Sequence, residues 1–430
     1  MKKQEDYQQM PVVHQQVAGI DVGSQFHVVA VGDDPKNDVS QFGVSTKELF
    51  RLADWLQQNG VKQVAMEATG GYEKPLVSVL QEAGFEVLVT SGVNTKNYRC
   101  FKSDTSDAIH IRTLHSLGLL PPIFLPDEFS TLIRPLVRLR RNLVENAADY
   151  IRRIQKALRA GNVRLDAVLT DTNSVSGLRI IAAICQGEEQ PDKLAALVDA
   201  SCKKRPMEII ELLRGNWTQA IRFEVRSCYR LYLNLQIEIT ELDKELDRHF
   251  IDHTNGLKQP PLSSDPTAGR KNRRSGRDAL LTFMAEVGES ITKFHSAKAF
   301  AKWLGFTPNN KASGGKVLSR RTLKNRSTLP NTFRMVANSL GNMKKPNPLT
   351  AFFQRIAYKA GRIKAITATA RKLAVVVYKM LTAGEAYEPI KLVRDLEQVK
   401  QQQIRQIKKK LVKFDISSQD LGLIAISSPN

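Results

Sequence analysis

The sequence predicts an α/β domain followed by an all-α remainder, and three observations predict it. Period-two apolar runs alternate with amphipathic helical stretches from Val17 to about Pro121 and Pro122, the pattern of a sheet crossed by helices. A heptad stripe then runs from Ile221 to Leu246. Past a stretch rich in Pro, Gly, Ser and Arg, helical patterns return and fill most of the remaining chain.

Taken in order, VAGIDVG, QFHVVAVG and DVSQFGV read as antiparallel strands, with the turn DDPKND between the last two. TKELFRLADWLQQNG places Leu49, Leu52, Ala53 and Leu56 on one helical face. The apolar strand VKQVAME, a helix around KPLVSVLQEAG and the strand FEVLVT complete the alternation. In the stripe, Ile221, Val225, Cys228, Tyr232, Leu235, Ile239, Leu242 and Leu246 stand four and three apart, the spacing of a coiled-coil seam. Such a seam either joins two copies of the chain or packs inside one. From about Asn255 to Arg277 the composition is that of a flexible basic linker. Helical patterns resume in ALLTFMAEVG, SAKAFAKWLG, TFRMVANSLGNM and AITATARKLAVVVYKMLTAG, with TPNNKASGGKVLSRRTLKN expected as a loop among them. The expected division is 12–122, 123–254, 255–277, 278–390, and a basic C-terminal helix and tail over 391–430.

The chain has 430 residues, enough for two or three domains, each with a hydrophobic core. Its net charge of +21 is unevenly spread. Residues 1–120 hold 11 Lys and Arg against 14 Asp and Glu, whereas residues 255–345 hold 18 against 4 and residues 346–430 hold 15 against 6. An excess sustained over the C-terminal half points to a polyanionic partner there. Four scattered cysteines without a C-x-x-C pair write neither a disulfide framework nor a zinc site. The N-terminus MKKQEDYQQMPVVHQQ lacks an apolar run, and no stretch is long and apolar enough to span a membrane. A cytoplasmic protein is expected.

Four carboxylates stand out. Asp21 interrupts the first strand between Ile20 and Val22, where a charge requires a reason. Glu67 ends the strand VAME just before Gly70 and Gly71, at a strand end of the kind where α/β sites gather. Asp104 and Asp107 open a predicted helix on one face, which Ile111 and Leu114 continue toward the sheet. Such a set suits divalent metal, since Mg²⁺ prefers hard oxygen ligands and keeps open positions for phosphate. Taken singly, Asp104 and Asp107 also read as ordinary acids at a helix start. IDVGS resembles as well the first phosphate loop of the sugar-kinase and actin ATPases. That fold needs a second such loop, and the only other D-x-G, Asp420-Leu421-Gly422, lies in the tail.

A second candidate is KASGGKVLSRR, where Ser313 precedes Gly314 and Gly315, with Lys316, Arg320 and Arg321 close behind. Glycines let backbone N–H groups approach an anion, and the bases neutralise phosphate. By composition alone Ser-Gly-Gly is equally a plain turn. His249 and His253 have a metal-pair spacing but no third ligand in sequence.

GIDVGSQFHVVAV, AMEATGGY, KSDTSDAIHI, SGGKVLSRRT and AITATARKLAVVVYKML, in this order, resemble the DEDD transposases of the insertion-sequence one-ten family, eleven-eleven subgroup. The likeness runs from about Val17 to Leu411. It implies an RNase-H-like, Holliday-junction-resolvase-like (RuvC-like) N-terminal domain, a helical coiled-coil middle and a mainly α-helical C-terminal transposase domain. By residue it assigns Asp21, Glu67, Asp104 and Asp107 to the metal-binding acidic motif, with Mg²⁺, and Ser313 to the nucleophile that links covalently to DNA. Gly314, Gly315, Lys316, Arg320 and Arg321 then become nucleic-acid contacts, and the carboxylates and Ser313 one composite site. The likeness further implies recombination of the element's DNA ends with a target, a bridge RNA as guide, a homo-oligomer joined through the coiled coil, and a nucleoid-associated prokaryotic protein. The chain departs from the family where many members carry a glycine-rich helix-hairpin-helix; here only SGRDALLTFMAEVG comes after the basic linker. Two other readings stay open: a resolvase-like nuclease that hydrolyses junctions, and a non-catalytic nucleic-acid-binding protein.

Overall fold

In the computed structural model the described residues are 10–92, 95, 104–253, 270–314, 316–319, 321–322, 327–343, 347–384, and positions 404, 405, 407 and 411. The chain divides into two compact units, Met1–Leu125 and Pro126–Asn430.

The first unit is built on a five-stranded sheet of order β3-β2-β1-β4-β5, comprising β1 (Val17–Val22), β2 (Phe26–Ala30), β3 (Val39–Gly43), β4 (Gln63–Glu67) and β5 (Glu86–Thr90). The first three strands pair antiparallel, while β1, β4 and β5 run parallel. Parallel neighbours need crossovers, and helices α1 (Thr46–Gln58) and α2 (Glu73–Glu82) supply them. Both lie on one face, where Leu49, Leu52, Leu56, Leu76 and Leu80 bury against Ile20, Val22, Val29 and Met66. The other face is covered by α3 (Asp104–Ser116), whose Ala108 packs on Val28 and Ala30 and whose Ile111 and Leu114 pack on Ala65. A Cβ on Gly19 would overlap the Ala108 carbonyl oxygen and the Arg112 nitrogen. The missing side chain therefore lets the α3 backbone lie directly on β1.

The second unit opens on α4 (Glu128–Ala160), capped by Asp127, which accepts a 2.7 Å bond from the Ser130 N–H. Short helices α5 (Leu165–Val168), α6 (Val175–Cys185), α7 (Pro191–Ala195) and α8 (Pro206–Leu213) lead to the long α9 (Gln219–His253). The predicted seam lies on α9, and its occupant is the same chain. Val225, Cys228, Tyr232 and Ile239 bury in one cluster with Ile151, Ile154 and Leu158 of α4 and Ile180 and Ile181 of α6. Leu246 and Phe250 join Ile133 and Val137 of α4. The expected dimerisation through this seam would require surface that α4 and α6 already cover. Periodicity reveals which face is buried but not against what.

Helix α10 (Arg270–Glu286) begins inside the stretch read as linker, while residues 255–269 lie outside the described residues. A 3₁₀ turn (Gly288–Lys293) and α11 (Ala297–Trp303) come next. The expected loop then proves to be a hairpin of β6 (Lys311–Ser313) and β7 (Lys316–Ser319), antiparallel. Helices α12 (Leu329–Gly341), α13 (Pro348–Ala360) and α14 (Arg362–Ala383) follow in the chain and pack on one another. Of the expected basic C-terminal helix over 391–430, only positions 404, 405, 407 and 411 are described, and all four are helical. Among the described residues, Cys185, Cys202 and Cys228 are free thiols, and no helix is long and apolar enough to cross a membrane.

Candidate active site

The sheet register places the first pair of carboxylates. Ile20 stands beside Met66 on the parallel neighbour, so one residue further Asp21 comes beside Glu67, on strands about 4.8 Å apart. Residues at the same register point to the same face, and that face is fixed by alternation. Gly19 and Ala65 face α3, hence Asp21 and Glu67 do too.

Helix direction places the second pair. The Val13 and His14 N–H groups both donate to the Ser116 carbonyl, at 2.8 and 3.0 Å. The C-terminal end of α3 thus lies where the chain enters β1, Ala108 and Arg112 sit over Gly19, and the helix runs antiparallel to the strand. Its first turn, with Asp104 and Asp107, lies toward the end of β1 that carries Asp21. Asp107 is buried on the stripe continued by Ile111 and Leu114, whereas Asp104 is exposed.

Glu67 has a shaped surrounding. Its Oε2 accepts a 2.7 Å bond from the Thr95 hydroxyl. The loop after β5 comes close to this carboxylate, such that a Cβ on Gly92 would meet its Oε1. His27 pairs across from Val22 and so faces α1 and α2. It is buried there, which pushes its pKa down. It lies on the opposite face of the sheet from Asp21 and Glu67.

The donors on that face are carboxylate oxygens, the ligand type of a hard divalent cation. Among the described residues, however, no three His, Cys, Asp or Glu side chains converge as a metal-binding group. His249 and His253 serve other ends: His249 meets Glu245 at 3.2 Å, and His253 meets Glu289 at 3.4 Å while stacking on Phe129.

Ser313 is the last residue of β6, paired with Lys316 across the turn. Gly314 turns the chain with φ +54°, a conformation suited to glycine in a two-residue hairpin. Ser313, Gly314, Lys316 and Arg321 are exposed; Gly315 and Arg320 lie outside the described residues. The hairpin is extended at its base by a bridge between Pro308 and Thr322 and by the Asn309 N–H, which donates to the Arg321 carbonyl at 3.0 Å.

One residue of the second unit carries little signal that the sequence pattern reveals. Glu286, at the end of α10, is buried and accepts from Arg138 of α4 at 2.9 and 3.2 Å. It also accepts from the Ser327 and Thr328 hydroxyls at 3.4 Å, where the chain enters α12. A buried charge with a paired guanidinium holds position, so Glu286 ties Ser327 and Thr328, at the start of α12, to α4. Its only trace in the sequence is a lone acid inside the apolar run ALLTFMAEVG.

Residues 18–162 match the family model for DEDD transposases of the IS110 type, described as Transposase. Residues 273–353 match a second, described as Transposase IS116/IS110/IS902 family. The first range contains Asp21, Glu67, Asp104 and Asp107, and the second contains Glu286 and Ser313. No curated protein matches the chain.

Proposed function

Because the chain belongs to the IS110 family of insertion-sequence transposases, we propose that it cuts and rejoins DNA at the ends of its own element, using the four carboxylates with Mg²⁺ and Ser313 as nucleophile. The observation that carries this is the register: Asp21 beside Glu67 on the face covered by α3, whose first turn bears Asp104 and Asp107. Asp21, Glu67, Asp104 and Asp107 would hold the metal, which when bound neutralises charge on the attacking and leaving oxygens of a phosphoryl transfer. The strand order β3-β2-β1-β4-β5, with three antiparallel and then parallel strands, supports an RNase-H-like (RuvC-like) reading of residues 12–122.

Ser313 at an exposed hairpin tip can reach a phosphate that a buried serine could not. Its Oγ gives up its proton and forms a phosphoester with the cut strand, the P–O bond to the leaving sugar breaks, and that sugar oxygen gains a proton. Lys316 and Arg321 supply positive charge to the phosphate. The serine ester conserves the energy of the broken bond, so rejoining by the reverse attack needs no ATP. The guide is proposed to be a bridge RNA encoded in the element, on the strength of the family likeness and the basic C-terminal half.

The test is adduct trapping on element-end DNA with Mg²⁺. Wild type and Ser319→Ala should yield a covalent protein–DNA species and Ser313→Ala none, with DNA binding retained in all three. Cleavage by the wild type without any adduct would establish the hydrolytic nuclease instead.

A further inference from the structure

Residues 290–384 hold 19 Lys and Arg and no Asp or Glu. Within this stretch the corner between α13 and α14 combines basic and aromatic groups. Tyr358 is 94% exposed, more than any other large apolar side chain among the described residues. Isolated exposed apolar residues are ordinary, so its exposure alone argues nothing. Its setting does. Arg355 and Lys359 share the last turns of α13, Gly361 breaks the helix with φ +87°, and Arg362, Ile363 and Lys364 open α14 on the far side of the break. All five are exposed.

Two of the cations are held in place. The Arg362 guanidinium lies 5.6 Å over the Phe353 ring and donates from Nη2 to the Asn338 and Asn342 side-chain oxygens, each at 2.7 Å. The Arg355 guanidinium lies 5.4 Å over Phe352. A guanidinium has five donors, so Arg362 keeps capacity for a phosphate after both bonds. An open aromatic face beside fixed and flexible cations, with no acid in the sequence for many residues either way, is the composition of a platform for unpaired nucleotides: bases stack on the ring and the cations track the backbone. A duplex keeps its bases stacked on one another and has no such use for the ring.

We propose that the α13–α14 corner binds an unpaired DNA strand, with Tyr358 stacking a base and Arg355, Lys359, Arg362 and Lys364 contacting phosphates. The choice of DNA rests on the transposase reading, because strands must leave their partners to be exchanged.

The test measures binding of the full chain to labelled oligo(dT), to oligo(rU) and to a mixed-sequence duplex of equal length. Tyr358→Ala should weaken oligo(dT) binding roughly tenfold and duplex binding less than twofold, while Tyr358→Trp retains wild-type affinity. Arg355→Gln combined with Lys359→Gln should lower the salt slope on oligo(dT) by about 1.4, at about 0.7 per phosphate contact on a single strand. Equal losses on single strand and duplex, or no loss in Tyr358→Ala, would overturn the proposal. Tighter binding of oligo(rU) with the same dependence on Tyr358 would overturn it in favour of RNA. The adduct assay is separate: loss of the adduct in Ser313→Ala beside unchanged oligo(dT) binding in Tyr358→Ala would leave the transposase mechanism standing and this inference refuted.

Discussion

Asp21 and Glu67 make the residue scale readable, Asp21 because it is a charge where its strand alone would take an apolar side chain, and Glu67 because it ends an apolar strand just before a pair of glycines. If Asp21 is a metal ligand as proposed, and not a phosphate contact, Asp21→Asn should abolish cleavage while changing DNA affinity less than twofold; a cleavage assay with Mg²⁺ beside a binding titration checks both. Glu67→Gln, Asp104→Asn and Asp107→Asn should behave alike, and normal cleavage by any two of the four would refute the site. His115 makes a different kind of prediction. It is buried at the end of α3 and stacked on His14 with ring centroids 5.1 Å apart, and burial, with His14 beside it, pushes its pKa down to about 4. The unfolded chain, with an ordinary histidine, binds the proton first as pH falls. The stability is therefore whole above about pH 6.5 and is lost on the way down to about pH 4, roughly 3 kcal/mol in all. His115→Phe should flatten that part of the pH dependence of the unfolding midpoint in urea, and an unchanged profile would show that the histidine does not report on folding.

At the scale of elements, α3 is positioned by an absence. Gly19→Ala places a methyl group against the backbone at Ala108 and Arg112, not against a side chain that could turn away. It should cost about 3 kcal/mol, read as a lower thermal midpoint, and should depress cleavage at temperatures where the variant is still folded, because Asp104 and Asp107 ride on the displaced helix. The sheet and its helices were legible because period-two and period-3.6 patterns differ sharply and Pro and Gly punctuate them. The hairpin was not. Its strands are only Lys311–Ser313 and Lys316–Ser319, too short and too polar for alternation to register, and Gly314 marks a turn of any kind. Helix α13 was missed although Asn347 caps it, accepting from the Leu349 N–H at 2.9 Å, with Pro348 at its first position, a start signal that needs no periodicity. The site was half legible for the same reason: a misplaced charge in a strand is visible, whereas the Thr95 bond to Glu67 and the anchoring of Ser327 by Glu286 exist only once the chain has folded.

For the whole molecule, charge is divided between its parts: a nearly neutral first unit bears the acidic face, and the acid-free stretch of residues 290–384 lies in the second. Binding to element-end DNA should therefore fall steeply with salt, by about 0.9 logarithmic units of affinity per logarithmic unit of salt for each duplex phosphate engaged. Lys316→Gln with Arg321→Gln should reduce that slope by close to two such steps, whereas charge removal on α1 should leave it unchanged; equal slopes in all three proteins would mean that the polyanion lies elsewhere. The joining of α4 to α9 and α10 has a consequence during synthesis. Ile133 and Val137 emerge from the ribosome early, yet their partners Leu246, Phe250, Leu281 and Ala285 come far later in the chain. At roughly 5–20 residues per second, the nascent α4 waits on the order of ten seconds with that apolar stripe bare. A chain cut short before α10 covers it only in part, with Leu246 and Phe250, and lacks Leu281 and Ala285 for good. Only a ribosome that has read past residue 285 releases a chain able to cover it in full.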